Sequence, residues 1–248
     1  MQNYRSYLIV LSIGFSTVVH AQSDGALITD RPSFSISPVS VQPGTIQIEG
    51  GGLWSQFAGL TTISGPEILG RVGILNKLEF RAALPNYIDV ENSSASGLTD
   101  ITLGAKYQIS DEGSTWAMAV IAQASIPTGD ENLTADRVEP EIILTASTSI
   151  GESTSLGIQG GLKSVEVVEG NRVLYTGALI VSTPIAEKIS AFGEVYLISR
   201  PQFDTDYVAR FGLIYLISND FQLDLNGGSA INENPVGAFI GFGGAFRL

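Results

Sequence analysis

Residues 97–110 read GLTDITLGAKYQIS, and in an extended chain they sort into two chemically different faces. Thr99, Ile101, Leu103, Ala105, Tyr107 and Ile109 fall on one side, and Asp100, Thr102, Gly104, Lys106 and Gln108 on the other. Successive side chains leave a strand in opposite directions, so a period of two with one apolar face predicts a β-strand between two environments. The C-terminus repeats the pattern, with Ala238, Ile240, Phe242, Gly244, Phe246 and Leu248 set against Phe239, Gly241, Gly243, Ala245 and Arg247.

From Thr45 onward such segments predict about twelve strands, near 44–54, 66–74, 78–86, 98–109, 115–127, 139–150, 154–165, 172–183, 188–198, 205–217, 221–229 and 236–247. Their connections alternate in length. The short turns are LNK, SDEGS, GES, PIAEK and SND, and between them lie longer polar loops such as SQFAGLTTISGP, NYIDVENSSAS and TGDENLTADRV. Short turns at one end and long loops at the other are how a transmembrane β-barrel is organised, whereas a soluble sandwich has no reason to sort its loops. The fold expected is all-β, a single antiparallel transmembrane barrel with short periplasmic turns and longer extracellular loops.

The faces agree with that reading. Trp54, Tyr107, Trp116, Tyr175, Tyr207, Tyr215, Phe221 and Phe246 stand near strand ends on the apolar side, where aromatic girdles meet the two membrane interfaces. The inward face carries Glu49, Arg71, Glu79, Arg81, Asp100, Lys106, Glu141, Lys163, Glu194, Arg210 and Asp224. Basic and acidic residues nearly balance there, so opposite charges on neighbouring strands should pair. The LNK turn sets Arg71 opposite Arg81, a like-charge pair that Glu79 and Glu49 are placed to compensate.

Composition narrows the function. Charged residues make up 15% of the 248-residue chain, against about 25% in an average soluble protein. Residues 1–21 have the form of an export signal: Arg5, the apolar run YLIVLSIGF, and small residues before a cleavage site after Ala21. The chain has no cysteine and its one histidine, His20, lies within that signal. Disulfides, thiolate or imidazole catalysis and the usual zinc sites are therefore excluded from the mature chain, and no cofactor or metal is expected. An enzyme would have to work with carboxylates, lysine, serine and tyrosine, and no nucleophile elbow or Ser-x-x-Lys pattern is present. A formal charge of −12 argues against nucleic acid as a partner. The partners expected are outer-membrane lipids, the outer-membrane assembly machinery and a small solute. Loop acids could instead serve a structural or adhesive surface barrel through bridging cations, although their spacing is not that of a calcium loop.

Between signal and barrel lies TDRPSFSISPVSVQPG, residues 29–44, part of an N-terminal segment expected over 22–44. Its prolines remove sheet donors, so it does not extend the barrel edge. It either hangs in the periplasm or enters the lumen, where Asp30 and Arg31, next to Pro32, would meet inward charges such as Arg81 or Glu49. Barrel diameter grows with strand number, and twelve strands, between the filled eight and the open sixteen, predict a narrow conduit that the segment would narrow further if it entered.

DRPSF (30–34), SPVSVQPGTIQIEGG (37–51), GILNKLEFR (73–81), SGLTDITLGAKYQ (96–108) and SIPTGD (125–130) also resemble, in order, blocks of the outer-membrane barrel family of the MetA pathway of phenol degradation. The resemblance covers the first half of the mature chain; the second half matches in barrel pattern and length. It implies a transporter-like barrel over residues 45–248 that admits small aromatic or other hydrophobic compounds. The final residue, Leu248, departs from the phenylalanine that usually ends such barrels, while Phe242 and Phe246 keep the assembly pattern on the lipid face.

Overall fold

The computed structural model describes residues 25–57, 60–91, 96–167, 170–232 and 236–248. The expected export signal, 1–21, lies outside the described residues. The strands are β1 (Ile46–Phe57), β2 (Leu60–Gly65), β3 (Leu69–Leu75), β4 (Leu78–Ala83), β5 (Tyr87–Val90), β6 (Gly97–Leu98), β7 (Ile101–Gln108) and β8 (Trp116–Ile126). They continue with β9 (Glu139–Ile150), β10 (Thr154–Val167), β11 (Gly170–Ala186), β12 (Ile189–Ser199), β13 (Asp206–Ser218), β14 (Phe221–Ala230) and β15 (Val236–Arg247). No helix occurs among the described residues.

Twelve of these strands close a transmembrane antiparallel barrel, all but β2, β5 and β6. Closure is made by β1 against β15, with Gln47 facing Arg247 and Ser55 facing Phe239, which joins the first and last strands of the barrel. Every strand neighbour in the barrel is adjacent in sequence except at that seam and where β2, β5 and β6 intervene.

Those three strands differ from the expectation: β2 and β5 lie in SQFAGLTTISGP and NYIDVENSSAS, which it reads as loops, and β6 is separated from β7 at Thr99–Asp100, where it reads one unbroken strand. β1 changes partner along its length: Ile46–Glu49 pair with β3, and Leu53–Phe57 pair with β2. β5 then adds to β2, and β6 to β5. The switch falls at Gly50–Gly52, where the Glu67 N–H donates to the Gly51 carbonyl at 2.8 Å. On the outer half of the barrel, β2, β5 and β6 thus take the place beside β1 that β3 takes on the periplasmic half.

The core is inverted relative to a soluble protein. Phe211, Phe242 and Leu144 are 66%, 69% and 59% exposed on the outer surface, where hydrocarbon covers them. Trp54, Tyr175 and Tyr207 ring the outer end on that surface, and Tyr107, Trp116, Tyr215, Phe221 and Phe246 the periplasmic end. Glu49, Arg71, Glu79 and Lys106 by contrast are 0% exposed, inside. The barrel interior is also part apolar: Tyr196, Val208 and Phe239 form a buried cluster with Phe34, Leu53, Ala178 and Ile198 packed on it.

Candidate functional site in the barrel lumen

Phe34 belongs to the N-terminal segment, and its place in the lumen follows from how that segment's polar groups are satisfied. A chain with three prolines over residues 29–44 makes no ladder of its own, yet its backbone donors and acceptors cannot be buried unpaired. The barrel wall meets them with side chains. The N–H groups of Asp30 and Arg31 donate to the Glu49 carboxylate at 2.8–3.2 Å. Those of Phe34 and Ser35 donate to Glu194 at 2.8 and 2.7 Å. Ile36 N–H reaches Gln159 Oε1, Ser40 N–H reaches Gln108 Oε1, and Val41 N–H reaches Glu79 Oε2. In the other direction, the carbonyls of Ile28, Pro32, Ile36 and Val39 accept from Arg71, Arg210, Thr145 and Arg71 respectively.

The path begins at the periplasmic end, where Leu27 N–H donates to the Asn219 carbonyl in the β13–β14 turn. It crosses the bore past β12 and β10 and returns at Pro43, which bridges to Gly73 in β3. Glycines in the wall make room for it. A Cβ on Gly73 would lie 2.0 Å from the Gln42 carbonyl oxygen, and one on Gly51 would lie 2.4 Å from Arg31 Nη2. Gly243, paired with Gly51 across the seam, is crowded by the same guanidinium at 2.5 Å.

Charge gathers in two groups. In the first, three cations meet three carboxylates. Arg71 bonds Glu79 at 2.8 Å and Glu49 at 3.0 Å, and Arg81, Lys106 and Arg71 converge on Asp30 at 3.0, 3.2 and 3.6 Å. Arg71 and Arg81 do stand opposite each other in register, and Glu79 lies beside both. In the second group, Arg31 is held by Glu67 at 2.8 Å and Asp224 at 3.2 Å.

The remaining predicted residues lie elsewhere. Glu194 and Arg210 face each other in register, but Glu194 spends its carboxylate on the segment's N–H groups. Arg210 instead lies over the rings of Phe239 and Tyr196, 4.8 and 5.3 Å from their centroids. Lys163 stands across from Glu141 in register yet pairs with Glu139 at 2.8 Å, while Glu141 accepts from Gln123. Asp100 precedes β7 at the outer mouth, where its carboxylate takes the Thr134 hydroxyl and the N–H groups of Thr128, Gly129 and Ala135. Burial pushes this carboxyl up, but those four donors outweigh it and hold it below its usual range.

Sequence reasoning missed Glu67, Gln108, Gln159, Thr145 and Tyr196. Glu67 lies in the predicted strand 66–74 with the inward parity of Arg71, so parity would have found it, whereas neutral inward residues carry no charge signal. Inward parity with Glu194 would have found Tyr196.

Two cavities flank the segment, and Arg31 and Ser33 line both. The periplasmic one, about 410 Å³, is bounded by residues such as Ile36, Ser147, Ile180, Ser182, Phe192 and Ile214. The outer one, about 400 Å³, is charged, with Asp30, Glu49, Glu67, Arg81 and Asp100 in its wall. Beyond it a vestibule of about 970 Å³ opens beneath residues 131–136.

Residues 29–248 match the family described as the MetA-pathway of phenol degradation. The chain belongs to that family. Among solved structures, this MetA-pathway family member is similar to an outer-membrane channel from Pseudomonas putida F1, with 13% identity, a TM-score of 0.61, and coverage of 82% of this chain and 95% of that one. It is similar to the NanC porin at 11% identity and a TM-score of 0.58, covering 82% of this chain and 100% of that one. The KdgM porin aligns at 10% identity with a TM-score of 0.56, over 82% and 98% of the two chains. At these identities the likeness shows the fold, that of outer-membrane porin and channel barrels. No curated protein sequence matches the chain significantly.

Proposed function

We propose that this barrel lies in the outer membrane of a Gram-negative bacterium. There it acts as a passive conduit for small aromatic or otherwise hydrophobic solutes, with the N-terminal segment as the plug that sets its bore. The observation that carries this reading is the segment's position between two cavities, one on its outer and one on its periplasmic side. A barrel meant only as a membrane-embedded scaffold needs neither cavity.

The solute class rests on the periplasmic cavity and on the family. Ile36, Ile180, Phe192 and Ile214 supply apolar surface there, and Ser147 and Ser182 supply scattered hydroxyls. That lining suits a small ring bearing one polar group, since ligand pockets pair mostly apolar walls with a few polar anchors.

The test is single-channel conductance and solute flux of refolded protein in bilayers and liposomes. Full-length protein should conduct weakly, and a variant lacking residues 22–44 should conduct more; Arg71→Ala and Arg81→Ala serve as comparators. The second reading, a structural or adhesive barrel without transport, draws support from how fully the segment's backbone is bonded to the wall. A truncated barrel that folds but passes neither ions nor solute would establish that second reading and overturn the first.

A further inference from the structure

The three-cation, three-carboxylate cluster is assembled from two sources. Arg71, Arg81, Lys106, Glu49 and Glu79 come from the barrel wall, and only Asp30 comes from the N-terminal segment. The wall alone therefore presents three cations against two carboxylates. All five wall side chains are at most 5% exposed, so the surplus positive charge is buried wherever a counter-carboxylate is missing.

We infer that the wall residues Arg71, Arg81 and Lys106 form a carboxylate-binding site that Asp30 occupies in cis, and that a small organic carboxylate entering from the outer cavity competes for it.

Three observations converge. Asp30 is held as a ligand carboxylate would be: Oδ2 faces Arg81 Nη2 at 3.0 Å, and Oδ1 faces Lys106 Nζ at 3.2 Å and Arg71 Nη1 at 3.6 Å. The Ser37 N–H, from the same segment, completes the contacts at 3.1 Å. Second, the site has donor capacity that Asp30 leaves unused. Arg81 Nη1 and Asp30 Oδ2 are both buried without a hydrogen-bond partner among the described residues, and Nη1 lies 3.6 Å from Glu79 Oε1. A guanidinium prefers to bind a carboxylate through two parallel N–H donors, a geometry that Asp30 does not reach here. Third, Arg81 and Asp30 both line the outer cavity of about 400 Å³, which leaves room for the carbon skeleton of an acid. The cavity's other carboxylates are engaged: Glu49 by Arg71, Glu67 by Arg31, and Asp100 by residues 128–135.

Asp30 lies in the entering limb of the plug, so a carboxylate that takes its place removes one of the plug's attachments. The site then links solute to plug release: an acid that binds loosens the segment that blocks its way. This second step rests on the conduit reading; the site itself does not.

The experiment uses full-length protein refolded in detergent micelles and in bilayers. The chain has no cysteine, so Ser40→Cys supplies a single reporter for maleimide labelling of the buried segment. In that background Asp30→Ala should raise the labelling rate by roughly tenfold or more, because one partner of a buried charge group is lost. Acetate, propionate or benzoate should then restore protection saturably, and chloride at matched ionic strength should not. Adding Arg81→Ala should abolish the rescue. With Asp30 intact, the same acids should increase labelling and conductance. Asp30→Asn, which keeps the side-chain shape, checks that the response follows charge; folded state is verified by heat-modifiable mobility. Absence of any saturable carboxylate effect in folded Asp30→Ala overturns the site. Rescue without any response of the Asp30-containing protein overturns the competition. The variant lacking residues 22–44 reports separately on the conduit: if it conducts while carboxylates do nothing, only this inference falls.

Discussion

Phe34 stacks on Tyr196 with ring centroids 4.3 Å apart and planes 7° from parallel. One ring comes from the N-terminal segment and the other from the middle of β12, so the plug is anchored by apolar contact as well as by hydrogen bonds. Phe34→Ala should remove about 2 kcal/mol of docking energy, from lost burial and lost ring contact. The expected result is faster labelling of a Ser40→Cys reporter and higher mean conductance. An unchanged labelling rate would show that the polar contacts alone hold the segment.

Gly73 makes a sharper test of geometry. A methyl group there meets backbone, the Gln42 carbonyl oxygen at 2.0 Å, which no side-chain rotation relieves. Gly73→Ala should therefore displace the returning limb of the plug near Pro43 while the barrel itself still forms. Gly160→Ala is the matched control, because nothing lies within 4 Å of its added carbon. Conductance or protease access at the segment should change in the first variant and not in the second.

Arg71 holds two wall carboxylates and reaches Asp30, fully removed from solvent. Arg71→Ala strands those acids in the lumen, and breaking such a buried group costs about 3–5 kcal/mol. Urea unfolding in micelles should show the loss as an earlier midpoint. Lys163→Ala, whose partner Glu139 is at the outer vestibule and whose side chain is 26% exposed, should shift it far less.

Acid should loosen the outer loop before it unfolds the barrel. Asp100 has a carboxyl held below its ordinary value, so its contribution is complete above the unfolded-state value near 3.8 and is lost as pH falls through the lower folded value. Hydrogen exchange of the Thr128, Gly129 and Ala135 amides should stay protected at neutral pH and accelerate only below about pH 4. Asp100→Ala should expose the same amides at every pH.

Much of the barrel was legible because alternation is a local property. GLTDITLGAKYQIS announces its two faces without reference to any other strand, and the outward aromatics and inward charges follow from parity alone. Parity also placed Arg71 against Arg81 and put Glu49 and Glu79 within reach. Charge pairing across neighbouring strands was less legible. Glu194 and Arg210 are opposite charges on neighbouring strands and face each other in register, but the segment's N–H groups claim Glu194 and aromatic rings claim Arg210. Lys163 found Glu139 one step along the strand face. The sequence reads β2 and β5 as loops, and β6 as the start of the strand that continues into β7, because their pairing depends on where β1 leaves β3, and no short window of sequence records that departure.

The sequence by itself determined a closed twelve-stranded transmembrane barrel with charges inside, because the period of two and the alternation of turn lengths are written along the chain. It also showed that residues 29–44 could not join the sheet, since proline has no N–H to give. Only the tertiary structure decided where that segment goes and what it does to the bore. Arg31 reaches Asp224, 193 residues away, and Asp30 completes a cluster drawn from β1, β3, β4 and β7. Such contacts depend on barrel closure, which brings distant strands across a narrow lumen and sets buried charges where they must find partners from the plug.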